Sequence, residues 1–445
     1  MNADSLPLTP ALSPEGEREL QVRAAMVIIA VSFLLRIALA LGTDTYPDEA
    51  YYWTWAQHPQ LAYFDHPALI AWSIALLGIR PGALIWGAVA LVGVYRLTLQ
   101  LQGTRAQAWW ATALFASTPA AALLGTISTP DAPLLAFWVW ALVALSSKRP
   151  VLTGVLWGLS MLSKYNGILL GLPVLVVFFR RPLHLVIATL IALAVTSPTI
   201  IWNATNDWEG FRFQIWHGVT YGGGGLPTFL EFLGGQILMG GPVLVVLTIW
   251  WVSRQPAPAI LKISTVLPIV FFGLASWKAR GEANWTAAAW LSASVGLAMT
   301  RLVRWQRAAV GVNLVVVSVC TLVLLIAPQP LWAFPPVQKL HGWAWLKQVG
   351  AEKVPVITTR YQLSAEAEFY GGVPAMTLGG RRSQYDLWPQ PEIPVGGDAL
   401  WLAEGEGPPA ELIERYETAT QLEWSMDPRQ KALHPFTIFR LGKRK

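Results

Sequence analysis

The chain has 445 residues, of which 54% are hydrophobic and only 13% are charged, a composition too apolar for two or three soluble domains. The net charge of +6 does not indicate nucleic acid, because the basic residues mostly fall in short loops between long apolar runs. The single cysteine, Cys320, excludes an internal disulfide and a metal site built on cysteines. A polytopic, α-helical membrane protein is the class that fits.

Residues 1–22 contain three prolines and mixed charge, and they are predicted to form a disordered tail. The apolar runs that follow predict eleven membrane spans, with ends uncertain by several residues. They are residues 23–42, 82–101, 106–125, 132–147, 151–163, 165–179, 183–202, 229–252, 258–276, 285–300 and 308–327.

Two stretches depart from simple spans. Residues 151–179 are predicted to cross twice as short segments, because a single helix would place Lys164 at mid-membrane, which is costly. Residues 68–79 are too short to cross and predict a helix lying at the interface.

After residue 327 the sequence mixes charge, glycine and proline with short apolar runs, as in a water-soluble segment. Residues 328–445 are therefore predicted to form a small α/β domain. Its predicted strands are residues 354–359, 398–404 and 436–442, and its predicted helices are residues 363–371 and 409–417.

Loop charges predict the orientation. Every second connection between predicted spans is basic, and the positive-inside rule places those loops in the cytoplasm. They carry Arg18 and Arg23, Arg105, Lys148 and Arg149, Arg180 and Arg181, Arg254, and Arg301, Arg304 and Arg307. The acids of the first loop, several isolated cations and the tail domain then all fall on the opposite, non-cytoplasmic face.

The first non-cytoplasmic loop carries the strongest candidate for chemistry. The stretch "YPDEAYYWTWAQ" reads as a short helix opened by Pro47, with Asp48 and Glu49 in its first turn. Its aromatic residues would lower the local dielectric, so an acid here is suited to act as a general base. The alternative is that both acids only cap the helix.

A second acidic motif follows in "YFDHP". Asp65 and His66 are candidate ligands of a divalent cation, with His217 as a third. Alternatively, Asp65 caps the interfacial helix, and His217 faces solvent or stacks on a neighbouring ring. Asp131 in "STPDAP" is a candidate contact to substrate or to the base; the alternative is that it simply begins a helix.

Cations on the non-cytoplasmic face break the charge rule, and a phosphate-binding cavity would account for them. The candidates for substrate binding are Lys164 with its neighbour Tyr165, and Lys278 and Arg280. Snorkelling to lipid headgroups is the alternative for Lys278. Tyr361 and the pair Arg381 and Arg382 of the tail are further candidates that would reach over the cavity and contact the acceptor. The alternative is a packed domain with ordinary surface arginines.

These motifs resemble the GT-C class of integral membrane glycosyltransferases, in its bacterial branch related to dolichyl-phosphate-mannose protein mannosyltransferases and to the aminoarabinose transferase of lipid A. The resemblance rests on "YPDEAYYW", "YFDHPALIAW", "STPDAPLLAFW", "LSKYNGILLGLPV" and "RYQLSAEAEFY", which cover most of the chain in order. It implies a GT-C fold for residues 23–327, a sugar donor on a polyprenyl monophosphate, an active site facing the periplasm, and inversion at the anomeric carbon.

The resemblance also assigns roles. It implies that Asp48 is the catalytic base with Glu49 in support, that Asp65 occupies the place of a metal-binding acid, and that Lys164 contacts the lipid phosphate. The aminoarabinose enzyme has Glu-Lys-Pro where this chain has Asp65, His66 and Pro67. His66 therefore either replaces a phosphate-binding lysine or binds metal, and a divalent cation is an option rather than a requirement.

The expected function is transfer of a sugar from a polyprenyl-phosphate donor to a hydroxyl of a lipid or lipopolysaccharide, at the outer face of the bacterial cytoplasmic membrane. A protein acceptor with the same donor is the nearest alternative. A polytopic transporter or flippase is the alternative from another class, and Arg36 and Arg96, within or near spans, are the residues it would use.

Overall fold

The computed structural model describes residues 14–220, 223–424 and 426–445, without the side chains of residues 14, 17 and 217–220. A bundle of helices occupies residues 14–220 and 223–326. Its helices are α1 (Pro14–Gly42), α2 (Pro47–Gln57), α3 (Leu69–Leu77), α4 (Ile79–Gln100), α5 (Arg105–Ala116), α6 (Pro119–Leu124), α7 (Asp131–Ser146), α8 (Pro150–Ser163), α9 (Gly171–Phe178), α10 (Pro182–Thr205), α11 (Glu209–Thr220), α12 (Leu226–Gly240), α13 (Pro242–Arg254), α14 (Ala259–Ser276), α15 (Ala287–Ala298) and α16 (Val303–Ile326).

Five of the described helices are long and apolar enough to cross a membrane: Arg18–Gly42 within α1, and α4, α10, α14 and α16. Helices α12 and α13 pass the same test together but are bent by 101°. The chain is therefore a multi-pass membrane protein, while the count of eleven spans stays a prediction.

The N-terminal tail is shorter than expected. Helix α1 begins at Pro14, so residues 14–22 are helical, which corrects the predicted disorder there; residues 1–13 lie outside the described part of the chain. An ion pair one turn apart, between Arg23 and Glu19 at 2.6 Å, supports this first part of the helix.

The predicted span at residues 229–252 is wrong as a single straight helix. Gly241 adopts a left-handed φ of 85° between α12 and α13, and Pro242 cannot donate a hydrogen bond to the preceding turn. A Cβ on Gly241 would lie 1.7 Å from the side-chain oxygen of Asn313, so this bend requires glycine. The predicted span at residues 106–125 is likewise divided, because Thr118 caps the start of α6.

The break predicted within residues 151–179 is present. Helix α8 ends at Ser163, Lys164 is extended, and a 3-10 helix, Tyr165–Leu170, leads into α9. The indole of Trp157 donates to the carbonyl of Gly167 at 3.1 Å, which ties the 3-10 helix back to α8. Lys164 is consequently carried at the end of a helix rather than in the middle of one.

Arg36 lies inside α1 and is 2% exposed. Its guanidinium donates to the carbonyl of Ala116 at 3.0 Å, at the C-terminal end of α5. Carbonyl groups at a helix end are unpaired and carry partial negative charge, so they stabilise a cation. Arg36 therefore satisfies a free carbonyl at the break between α5 and α6. This contact explains why a charged residue is buried here without invoking a transported ion.

Residues after α16 form a mixed sheet with short helices around it. The strands are β1 (Val356–Thr358), β2 (Ala375–Thr377), β3 (Ala399–Glu404), β4 (Tyr416–Gln421) and β5 (Phe436–Arg444), in the order β2-β1-β3-β5-β4. The helices are α17 (Pro335–Gln338), α18 (Tyr361–Glu366), α19 (Ala410–Ile413) and α20 (Pro428–Leu433).

This sheet confirms the predicted small α/β fold of the tail. Strand β1 runs parallel to β2 and β3, whereas β5 pairs antiparallel with β3 and β4. Strands β2 and β4 were missed in the sequence, because β2 is three residues long and the burial of β4 does not alternate. The predicted domain boundary at residue 328 stays a prediction.

The tail is fastened to the first loop of the bundle. The backbone N–H of Asp44 donates to the carbonyl of Leu340 at 2.9 Å, and the Asp44 carboxylate accepts from the N–H of Trp343 at 3.0 Å. The hydroxyl of Tyr370 accepts from the N–H of Thr45 at 2.9 Å. These bonds place α18 directly against α2.

The partly buried carboxyl of Glu368 makes the stability of this protein depend on pH. Its carboxylate accepts from the N–H of Ala375 and the hydroxyl of Tyr385, at 3.0 Å each, yet burial raises the pKa of Glu368 from 4.5 to about 7. The folded state then binds the proton more tightly than the unfolded state does. The stabilising contribution is complete below pH 4.5 and is lost as the pH rises through about 7.

We expect the melting temperature of the detergent-solubilised protein to fall between pH 5 and pH 8, and to fall less in Glu368→Gln, which cannot ionise. Thermal unfolding at several pH values measures this difference. Glu411→Gln, at an exposed glutamate of the same region, serves as the control. Identical pH slopes in Glu368→Gln and the wild type would contradict the assignment.

Candidate active site

A cavity of about 800 Å³ lies between the helix bundle and the tail. Polar side chains from many separate segments of the chain and an apolar wall line it. The polar residues are Tyr46, Asp48, Tyr51, Tyr52, Asp65, His66, Thr129, Asp131, Lys164, Tyr165, Asn166, Gln214, Glu282, Asn284, Lys339, Tyr361, Gln362 and Arg381, and the wall includes Leu123, Ile168, Leu169, Ile215, Met239, Phe271 and Phe272.

Asp48 lies in the first turn of α2 and faces this cavity, half-buried. Burial raises the pKa of the Asp48 carboxyl above its usual range, while the positive charges of Lys339 and Arg381 act in the opposite direction. The side chain of Gln362 hydrogen-bonds the carboxylate. No described cation forms a salt bridge with Asp48, so its carboxylate remains available to accept a proton from a ligand.

Glu49 does not line the cavity. Its Oε1 accepts from the N–H of Ser128 at 2.7 Å, and its Oε2 accepts from the N–H of Tyr46 at 2.8 Å and pairs with Arg80 at 2.7 Å. The side chain is fully buried. For Glu49 the capping alternative is therefore the correct one, and it acts by fixing α2 rather than by contacting substrate.

Asp65 does not cap α3, whose N-cap is Ala68. Instead its Oδ1 pairs with the Arg381 guanidinium at 2.7 Å, and its Oδ2 accepts from the hydroxyl of Tyr51 at 2.8 Å. A tight turn presents this carboxylate, because Ala62 and Pro67 form a β-bridge across it.

His66 lies next to Asp65 and also lines the cavity. The side chain of His217, the third predicted metal ligand, lies outside the described residues. Among the described side chains, no three His, Cys, Asp or Glu residues converge on a point that could hold a metal ion. Since the Asp65 carboxylate is already occupied by a guanidinium and a phenol, the described residues do not fit a metal at this position.

Lys164 and Asp131, which both line the cavity, form a buried ion pair. The Lys164 ammonium donates to both oxygens of Asp131, at 2.9 and 2.8 Å, and the side-chain amide of Asn284 donates to Oδ2 at 2.8 Å. Lys164 is only 5% exposed. Asp131 does begin α7, but its carboxylate also compensates the positive charge of Lys164. Lys164 would therefore bind a ligand through oriented N–H groups rather than through a net positive charge.

Two predicted substrate contacts are not at the cavity. Arg280 is exposed and pairs with Glu231 at 2.5 Å, and Lys278 is exposed at the end of α14. Neither lines the cavity, whereas Glu282 and Asn284, which follow in the chain, do. Tyr165 and Tyr361, in contrast, both line it as predicted.

Lys339 and Gln362 are among the cavity residues that the sequence did not single out, whereas Arg381, which it did single out, lines the cavity as well. Lys339 donates to the hydroxyl of Tyr46 at 2.9 Å, and Gln362 follows Tyr361 at the start of α18. Arg381 stacks on the rings of Tyr361 and Phe213, at 4.5 and 4.9 Å. The motif "RYQLSAEAEFY" contains Gln362, but nothing in the sequence pointed to Lys339. Arg382, which was predicted together with Arg381, pairs with Glu209 instead.

Comparison with known proteins supports the resemblance seen in the sequence. Residues 65–202 match the family profile of dolichyl-phosphate-mannose-protein mannosyltransferases. The chain is 27% identical to the lipid A galacturonosyltransferase RgtD of Rhizobium johnstonii, over a region that covers 64% of this chain and 67% of that protein.

Two solved structures are similar over almost the whole chain. ArnT from Cupriavidus metallidurans bound to undecaprenyl phosphate aligns with a TM-score of 0.65 at 16% identity, covering 96% of this chain and 98% of ArnT. The apo state of the same protein aligns with a TM-score of 0.63 at 17% identity. The likeness shows that the bundle and the tail together have the fold of ArnT, which confirms the expected GT-C fold.

The buried pair of Glu49 and Arg80 gives a prediction about the site's scaffold. Removing one partner leaves the other charge buried without compensation, which costs about 3–5 kcal/mol. Glu49→Gln is expected to lower the melting temperature, and the double variant Glu49→Gln with Arg80→Gln to recover part of the loss. Thermal unfolding of the two single variants and the double variant measures the coupling. Strictly additive losses would show that the pair does not stabilise α2.

Proposed function

We propose that this chain is an inverting membrane glycosyltransferase that moves a sugar from a polyprenyl-monophosphate donor to a hydroxyl of lipid A or a related lipopolysaccharide. The observation that carries the proposal is a single cavity in which the carboxylate of Asp48, without an ion pair to any described cation, lies with three cationic side chains and an apolar wall. RgtD acts on lipid A, and ArnT was solved with undecaprenyl phosphate.

The cavity suits a donor with a polar head and a long apolar tail. Asp48, Lys164 and Arg381 line its polar part, whereas Ile168 and Phe271 line it from the bundle and are 64% and 51% exposed on the bundle surface. A polyprenyl chain can therefore lie against the bundle within the membrane while its phosphate enters the cavity. Water-soluble nucleotide sugars would not need this apolar wall.

The chemistry requires one base and stabilisation of one leaving group. Asp48 takes the proton of the acceptor hydroxyl as the hydroxyl oxygen attacks the anomeric carbon. The bond from that carbon to the phosphate oxygen breaks on the opposite face, and its electron pair leaves with the polyprenyl phosphate. The anomeric configuration is thereby inverted without a covalent intermediate on the enzyme.

Cationic donors around the cavity stabilise the departing phosphate. Asp131 compensates the charge of Lys164, and Asp65 compensates the charge of Arg381. Both cations therefore act through oriented N–H groups in a low-dielectric site. Lys339 forms no salt bridge with any described carboxylate and contributes net positive charge beside Asp48. That charge favours the ionised form of Asp48, which a general base needs.

Two kinds of acceptor hydroxyl fit the comparisons with known proteins. The mannosyltransferase family profile favours a protein hydroxyl, while RgtD favours lipid A. The lipid is preferred because the identity to RgtD extends over 64% of this chain, whereas the profile matches residues 65–202 alone. A protein acceptor is the alternative outcome of the transfer assay.

The proposed location is the bacterial cytoplasmic membrane, with the cavity and the tail on the periplasmic side. The support is the distribution of loop charges, which puts the basic connections on one side and the cavity residues on the other.

A sugar-transfer assay tests the role of Asp48. Purified protein is supplied with radiolabelled polyprenyl-phosphate sugars and an outer-membrane lipid extract, and labelled lipid and labelled protein are counted separately. Asp48→Asn is expected to lower the rate about 10²–10⁴-fold, since it removes the general base. Asp207→Asn, at an exposed residue whose positive φ asparagine tolerates, is expected to match the wild type. Equal rates for Asp48→Asn and the wild type would exclude Asp48 as the base.

Cysteine labelling tests the sidedness. In a Cys320→Ala background, Asp207→Cys is expected to react with a membrane-impermeant maleimide in intact spheroplasts, and Ser253→Cys only after the membrane is broken. Both positions are exposed, and Ser253 adjoins the basic residue Arg254. Reaction of Ser253→Cys but not Asp207→Cys in intact spheroplasts would reverse the orientation and remove the periplasmic active site.

A further inference from the structure

Arg381 extends from the tail into the cavity. Its guanidinium pairs with the carboxylate of Asp65, which the family resemblance assigns to a metal. Its guanidinium lies 2.7 Å from Asp65 Oδ1 and donates to the hydroxyl of Tyr361 at 2.7 Å. The second oxygen of Asp65 is taken by the hydroxyl of Tyr51 at 2.8 Å. A guanidinium therefore stands at the carboxylate for which a divalent cation was one of the options.

We propose that Arg381 replaces a metal ion at Asp65 and donates hydrogen bonds directly to the phosphate that leaves from the donor lipid, so that transfer needs no divalent cation. This inference rests on the proposed function, because it names the group that stabilises the leaving phosphate of that reaction. It makes Arg381 a catalytic residue supplied by the tail.

The geometry holds the guanidinium in one plane. The ring of Tyr361 lies 4.5 Å from its central carbon and the ring of Phe213 lies 4.9 Å from it. Contacts on these aromatic faces fix the orientation of the planar group, and arginine suits phosphate because its N–H groups form a rigid fork. The bond of Arg381 to the carbonyl of Arg382, at 3.0 Å, fixes the other end of the fork.

Donors remain for a ligand. Arginine has five N–H groups, and the contacts to Asp65, Tyr361 and the Arg382 carbonyl use three of them. The remaining N–H groups have no acceptor among the described residues. Arg381 lines the cavity and its side chain is 27% exposed, so a phosphate oxygen can reach them.

Charge also disfavours a metal at Asp65. The carboxylate is already compensated by the guanidinium, and a divalent cation bound to the same oxygens would lie within a few ångströms of that positive charge. His66 is the other described candidate ligand, and a pair of ligands does not make a structural or catalytic site for zinc.

In the transfer step, Arg381 donates two N–H bonds that strengthen as negative charge builds on the bridging phosphate oxygen. The bond from the anomeric carbon to that oxygen breaks, the electron pair stays with the phosphate, and the acceptor proton ends on Asp48. The leaving group is a polyprenyl phosphate anion, and no oxidant, reductant or further co-reactant is required.

The wild-type protein and three variants, all in detergent, test this inference. Wild type, Arg381→Gln, Arg381→Lys and Arg382→Gln are assayed for transfer with and without EDTA, their metal content is measured by mass spectrometry, and binding of undecaprenyl phosphate is measured by thermal stabilisation. Arg382 is a matched control, because it is the neighbouring arginine but pairs with Glu209 at the surface.

We expect wild type and Arg382→Gln to transfer sugar at full rate in EDTA without stoichiometric metal. Arg381→Gln is expected to lose about 10²–10³-fold in kcat, and to bind undecaprenyl phosphate at least tenfold more weakly. If Arg381→Gln does not fold, Arg381→Lys decides, because it keeps the charge but not the planar fork and is expected to lose at least tenfold in kcat.

Wild-type transfer that EDTA abolishes and a divalent metal restores would overturn the inference and leave the proposed function intact. So would folded Arg381→Gln, or Arg381→Lys, with wild-type kcat. Absence of transfer by the wild type with every polyprenyl-phosphate sugar and acceptor tried would instead overturn the proposed function, and the inference with it.

Discussion

Charge compensation between distant segments is the constraint on which the cavity depends. A buried charge without a partner is costly, and the described residues around the cavity meet this cost with three ion pairs. Glu49 pairs with Arg80, Asp131 with Lys164, and Asp65 with Arg381. Each pair joins two segments of the chain, so the pairs hold α2, the first loop and the tail in one arrangement.

Asp48 differs from these three carboxylates, because it has no ion-pair partner among the described residues. It faces the cavity, burial raises the pKa of its carboxyl, and no described cation forms a salt bridge with it. Structural carboxylates here are saturated with hydrogen bonds, as Glu49 is. A carboxylate left with one amide partner, Gln362, keeps the capacity to accept a proton, which is the property that a general base needs.

The tail is a component of the site rather than an accessory. It contributes Tyr361, Gln362 and Arg381 to the cavity, and Lys339 lies at the junction between bundle and tail. Bonds from Asp44 and Thr45 to the tail keep α18 against α2. In the sequence, the tail contains no recognisable catalytic constellation, because its contribution is a set of single side chains that act only when they face the first loop.

The sequence alone determined the membrane class, the short helix opened by Pro47, the break at Lys164 and the α/β character of the tail. These features follow from local composition, from proline geometry and from the cost of a charge within the membrane, all of which act over a few residues. It also singled out Asp48, Asp65, Asp131 and Lys164 as polar residues in apolar surroundings. Tertiary structure alone decided their partners.

Glu49 became a scaffold residue because Arg80 lies beside it, and Asp65 met Arg381 because the tail folds back over a loop more than three hundred residues earlier in the chain. Lys278 and Arg280 turned outward for the same kind of reason. Which of several equally charged side chains enters a cavity depends on how helices and loops pack, and sequence spacing carries no record of that packing between distant segments.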